Sequence, residues 1–132
     1  MREITKIKKL FRNLGVCDIP CASLPGMFPS VFKDASVEID CGRGWRALLL
    51  NLLLTLKKNN SPYKITRIRE HYAILEIWFE GEDEFSEQVI HLATLASAHI
   101  CSVCGKPGTM QGFDEWYSVV CGNAECHPPY PD

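Results

Sequence analysis

Four cysteines in the last third of the chain stand as two close pairs, Cys101-Ser-Val-Cys104 and Cys121-Gly-Asn-Ala-Glu-Cys126, with 16 residues between them. Thiolates at these spacings can converge on one tetrahedral ion, most simply Zn²⁺ with Zn–S bonds of about 2.3 Å. Gly105 directly follows the first pair and tolerates the positive φ that folds a knuckle back toward its metal. The competing reading is four reduced thiols buried as small apolar residues. It fits poorly, because two close pairs in one short Gly- and Pro-containing tail are hard to place in a core. The favoured ligand set is Cys101, Cys104, Cys121 and Cys126. His127, next to Cys126, is the alternative fourth ligand and would give three thiolates and one imidazole. Four protein ligands close a site, so the ion expected here is structural Zn²⁺ that holds the fold rather than activating water.

The remainder of the chain has the composition of an ordinary globular protein, 46% hydrophobic and 23% charged in 132 residues. A core of this size gains from a metal staple. Ala47 to Leu56 is the longest apolar run, but Asn51 and Thr55 break it and it is too short to span a bilayer. The start, Met1-Arg-Glu-Ile-Thr-Lys, lacks the apolar segment of a signal peptide. With no export signal, seven cysteines read as reduced thiols and metal ligands in a cytoplasm, with no membrane association.

Charge is unevenly placed. Residues 1–69 hold 13 Lys and Arg against 5 Asp and Glu, whereas residues 70–132 hold 1 against 11. Attraction between the halves within the fold is the simpler reading, since the overall balance is mildly acidic; a nucleic-acid face on the basic half is the other.

Read in order, Ile4, Ile7, Leu10, Phe11 and Leu14 recur at helical spacing and predict a helix over 1–14 stopped by Gly15. Lys6, Lys8, Lys9 and Arg12 make its outer face basic, a candidate contact for a partner or for nucleic acid. Pro20, Pro25, Gly26 and Pro29 predict an irregular loop, anchored by Phe28, Val31 and Phe32. Cys17, Cys21, Cys41 and His71 offer a second, weaker metal set. Val37 to Asp40 predicts a short strand or an extended lead-in. The leucine-rich stretch opened by Cys41-Gly-Arg-Gly-Trp45 predicts a helix to about Lys58, capped by Asp40 or Gly44 and buried on most sides. Tyr63–Arg69 and Ala73–Phe79 predict an antiparallel hairpin turning at Glu70-His71-Tyr72, with Arg67, Arg69, Glu70 and Glu76 able to pair across it. Phe85, Val89, Leu92, Ala93 and Ala96 predict a second amphipathic helix that begins after an acidic turn and ends near His99. Trp116 to Val120 reads as a strand leading into the second cysteine pair. The fold class is therefore α+β: two to three helices against a small antiparallel sheet, closed by a C-terminal zinc knuckle. Residues 1–100 form the core, with the N-terminal helix and loop over 1–39, and residues 101–132 form a knuckle packed on it.

No enzyme pattern accompanies the cysteines. H-x-E beside C-x-x-C, H-E-x-x-H, G-x-S-x-G and the phosphate-binding glycine loops are all missing, and Gly42-Arg-Gly44 is too short to serve as one. Cys41 is a candidate nucleophile only as any thiol is. Glu87 and His91, one helical turn apart, read as a surface pair.

The succession Cys41-Gly-x-Gly-Trp45, leucine helix, aromatic hairpin, acidic helix and Cys101-x-x-Cys104-Gly-Lys-Pro-Gly108 followed by a Trp and a Cys resembles a family of small bacterial and phage zinc-binding proteins. The resemblance covers roughly Asp40 to Cys126. The family's tail tends to read Cys-x-x-His, whereas this chain has Ala124 at that position and draws on Cys126 or His127. The resemblance implies a phage or prophage origin and carries no activity. The function expected is a non-enzymatic, zinc-stabilised interaction protein, a modulator or inhibitor of a host (defence) protein. A nucleic-acid-binding module using the basic half is the alternative.

Overall fold

The computed structural model describes residues 14, 17–113, 116–123 and 126. The basic helix expected over 1–14, with Lys6, Lys8, Lys9 and Arg12, lies outside these residues apart from Leu14, and so does His127. The described helices are α1 (Leu24–Met27), α2 (Arg46–Lys58) and α3 (Glu84–Ser97). The strands are β1 (Ile39–Asp40), β2 (Lys64–His71), β3 (Ile74–Glu80), β4 (Thr109–Phe113) and β5 (Trp116–Val120). The fold is α+β, as the periodicities predict.

The leucine helix α2 is the centre of the core. Leu48, Leu49, Leu52, Leu53 and Leu56 are completely buried, each worth about 2 kcal/mol of transfer free energy. The polar residues in the run turn back on their own helix. Asn51 Nδ2 donates to Ala47 O at 2.7 Å, and Thr55 Oγ1 donates to Asn51 O at 2.7 Å. One strip of the helix stays open, with Leu54 48% exposed. Neither Asp40 nor Gly44 caps α2. A 3-10 turn over Arg43–Trp45 leads into it, and Trp45 occupies the N-cap without a side-chain hydrogen bond to the helix. What fixes that end is a tertiary bond described below.

β2 and β3 form the expected antiparallel hairpin, and β1 adds to the other edge of β2 in parallel, with Ile39 opposite Ile68. The sheet is therefore mixed. Residues 31–33 continue that edge: Ile65 N donates to Val31 O at 2.8 Å and Lys33 N to Ile65 O at 2.9 Å. Phe28, Val31 and Phe32 are buried and anchor the Pro-rich loop as expected.

Strict alternation along β2 would put Ile65 and Ile68 on opposite faces. A bulge between Ile65 and Arg67 inserts one residue, so that both isoleucines are buried and Arg67 and Arg69 face outward. Arg69 Nε then lies 2.9 Å from Glu76 Oε1. Arg67 and Arg69 both lie over the Trp78 ring, at 5.7 and 5.6 Å from its centroid. Glu70 does not join this pairing. It is half-buried, and burial together with the charge of Asp40 raises its carboxyl pKa.

α3 starts where acidic residues suit a helix N-terminus. Asp83 accepts from Ser86 N at 3.0 Å, and Glu84 and Glu87 sit in the first turn. Phe85, Val89, Ile90 and Ala93 face the core. Ser97 Oγ accepts from Leu75 N at 2.9 Å, which ties the end of α3 to β3 just before the chain enters the cysteine segment.

The hairpin turns at Tyr72 and Ala73, one residue later than expected, and both have positive φ (50° and 72°). A two-residue turn of this hand matches the twist of the strands but favours Asn-Gly, because a Cβ strains the left-handed region. Ala73→Gly should therefore raise stability by about 1 kcal/mol in chemical denaturation, with the slope unchanged. An equal or lower midpoint would show that the turn carries no such strain.

Candidate metal centre

The chain leaves α3 through His99 and Ile100 into the first cysteine pair. Gly105 N donates to Cys101 O at 2.9 Å and closes the turn, with Gly105 at φ +83°, the conformation expected of it. Cys101 N donates to Lys106 O at 2.8 Å. The chain then forms a two-stranded antiparallel sheet of β4 and β5, registered Thr109 to Val120. β5 was anticipated. β4, Thr-Met-Gln-Gly-Phe, lacks the alternating pattern that would announce a strand and is held by its partner. Ser102 N donates to Val119 O at 2.9 Å, fastening the knuckle to β5, which delivers Cys121.

Cys101, Cys104, Cys121 and Cys126 converge, all four sulfur atoms lying within 4.8 Å of one another. Cys101 to Cys126 and Cys104 to Cys121 are each 3.7 Å apart, Sγ to Sγ. A regular tetrahedron with metal–sulfur bonds of about 2.3 Å has edges of about 3.8 Å, so this donor set fits a tetrahedral thiophilic ion. Cys101 and Cys121 are buried, Cys126 is half-buried and Cys104 is exposed, which places the centre at the protein's edge with its inner side against Val120.

The electrostatics favour thiolate at the inner end. Burial opposes ionisation of Cys101, but the backbone amides of Cys104, Val103 and Cys121 and the Cys104 thiol together bring it down to about 6. Burial and the neighbouring sulfurs push Cys126 up, since four close thiols resist shedding every proton without a cation. Metal binding must therefore displace protons, and it weakens as pH falls.

The knuckle is locked to α2 by the turn that precedes that helix. Trp45, completely buried, donates its indole N–H to Ile100 O at 3.0 Å. Gly44 N donates to Ser102 O at 2.9 Å, and Arg43 Nε reaches Val103 O at 3.3 Å. The two backbones approach so closely that a Cβ on Gly42 would lie 2.0 Å from Ser102 O, and one on Gly44 would lie 2.1 Å from Cys101 O. Gly42-Arg-Gly44-Trp45 is thus the seat of the metal knuckle.

Among the described residues, the metal-holding group comprises these four cysteines. Cys17, Cys21, Cys41 and His71 do not assemble into a second one. His71 lies on the hairpin, its Nε2 3.9 Å from Glu76. Glu87 and His91 line a shallow groove with Phe79 along α3.

No protein-family model, curated protein or solved structure matches the chain.

Cys104→Ser should abolish stoichiometric metal binding, read by elemental analysis, and lower stability by about 3 kcal/mol or more. A chelator should bring the unaltered protein to the same level. Gly44→Ala should destabilise by about 3 kcal/mol although it touches no ligand, because its methyl group has nowhere to go. An unchanged melting temperature in metal-free Cys104→Ser protein would refute a structural role for the ion.

Proposed function

We propose that the chain is a non-enzymatic interaction protein stabilised by Zn²⁺, acting on another protein in a bacterial cytoplasm as a phage-encoded modulator of its host. Four thiolates fill a tetrahedral shell, which leaves zinc no open position for substrate and gives it a structural part. The observation that carries the reading is the outer face of the β2–β3 hairpin. Trp78 is 49% exposed and Tyr72 82% exposed, and Arg67 and Arg69 flank the indole. Trp, Tyr and Arg are the residues that dominate protein–protein contacts, and rigid aromatic rings lose little entropy when covered.

A second reading rests on the same residues. An indole flanked by two guanidinium groups is also a platform for stacking bases, and Lys6, Lys8, Lys9 and Arg12 would add phosphate contacts.

Affinity capture of the tagged full chain from bacterial lysate, with and without nuclease, separates the two. A single stoichiometric protein that survives nuclease and is lost with Trp78→Ala is the expected result. Capture that disappears with nuclease transfers the face to nucleic acid. No specific partner under either condition removes the proposal. Metal content of the Trp78→Ala protein checks that its fold is intact.

A further inference from the structure

β3 is the end strand of its sheet, in the order β1-β2-β3. In an antiparallel hairpin, successive residues turn their backbone groups alternately toward the partner strand and away from it. His71 opposite Ile74 closes this hairpin, so Ile74, Glu76 and Trp78 turn their N–H and C=O groups to β2, and Leu75, Ile77 and Phe79 turn theirs to the open edge. The bond from Leu75 N to Ser97 Oγ, 2.9 Å, agrees with that direction and closes the edge at its first residue. Among the described residues, nothing bonds to the outward backbone groups of Ile77 and Phe79. β3 also lacks the Pro and Lys that commonly guard an edge.

The groove along α3 opens beside this edge at Phe79 and has a volume of about 640 Å³. Phe79, Ile90 and Leu92 give it apolar surface, and Glu84 and Glu87 give it negative charge. α3 carries no Lys or Arg, and residues 70–132 hold one basic residue, Lys106, against 11 acidic ones. The cations of the neighbouring sheet are engaged elsewhere. Arg67 and Arg69 lie over Trp78, and Lys33 pairs with Glu80 at 2.8 Å.

We infer that the β3 edge takes an extended segment of a partner protein as a fourth strand, and that this segment carries Lys or Arg at alternate positions. The inference rests on the reading of the chain as an interaction protein and names the partner's chemistry. The outward N–H and C=O groups of Ile77 and Phe79 supply the main-chain bonds. Side chains of an added strand fall alternately on the two faces of the sheet. One set stands beside Trp78 on the outer face. The other falls over the groove, where long basic side chains lay their stems on Phe79 and Ile90 and bring their charges to Glu84 and Glu87. A second copy of the chain suits the edge poorly. Pairing β3 with β3 brings Glu76, Glu80, Glu84 and Glu87 of one copy toward those of the other.

The test uses the zinc-loaded full chain and a short fluorescent peptide in which lysine alternates with threonine. Binding is followed by anisotropy, and exchange of the Ile77 and Phe79 amides by NMR. Methyl groups on every second amide of the peptide block one of its edges and leave the other free. The expected result is that one of the two N-methylated forms binds as the parent does, while the other is weaker by about tenfold or more. The Ile77 and Phe79 amides should exchange more slowly in the complex. Glu84→Gln combined with Glu87→Gln should weaken the parent peptide about fivefold and flatten its salt dependence, with metal content checking the fold. Equal binding of both methylated forms would overturn the proposal, since charge alone would then hold the peptide. So would no binding of the parent, or a self-associated free chain whose Ile77 and Phe79 amides are already protected. The unaltered chain carries the central measurement, so it stands even if the variant fails to fold. Peptide binding without a captured lysate protein supports the edge and removes only the host partner. Capture that depends on Trp78, without peptide binding, removes only the edge.

Discussion

Trp45 begins the leucine helix, is wholly buried, and gives its indole N–H to the carbonyl of Ile100, the residue before the first metal-site cysteine. An indole N–H buried without an acceptor costs about 1–3 kcal/mol, so burial of the ring is that much more favourable with the carbonyl in place. Gly44 N and Ser102 O make the same demand one step further along. The hydrophobic core and the cysteine knuckle are thereby two ends of one structure. A metal that organises Cys101 to Cys104 also presents the Ile100 and Ser102 carbonyls, and the leucine helix that binds those carbonyls holds the knuckle in the shape a metal requires.

This arrangement explains the division of labour among the glycines. Residues 42 and 44 lack side chains because another backbone occupies the space, and Gly105 lacks one because the turn needs its positive φ. A glycine-rich turn before a helix invites comparison with phosphate-binding loops. Here the groups it receives are protein carbonyls, and the geometry that would cradle an anion is filled by the chain itself.

Features set by local chemistry were readable in the residues alone. The thiol spacing announces the metal group, the leucine run announces α2, and the acidic turn before Phe85 announces the start of α3. Features set by distant contacts were not. The bulge at Ile65–Arg67 has no local signature, because alternation fails only relative to a core that another element supplies. The Tyr72–Ala73 turn breaks the residue preference of its own conformation, and the strand register on either side overrides it. β1 is two residues long and parallel, and β4 gains its identity from β5. The role of Gly42 and Gly44 as a seat was hidden for the same reason, since its other half lies beyond α3.

The bond between Trp45 and Ile100 spans 55 positions of sequence. A chain synthesised from its N-terminus therefore exposes a helix of leucines well before the residues that complete its burial leave the ribosome. The hairpin and α3 can cover part of that surface as they emerge, but the Trp45 end waits for Ile100, and Cys126 follows later still. A metal site that draws on Cys101 and Cys126 can be completed only after the rest of the described chain has been made. Until Ile100 and the cysteines arrive, that end of the helix lacks its cover, and uncovered apolar surface is what makes a nascent chain prone to misassociate.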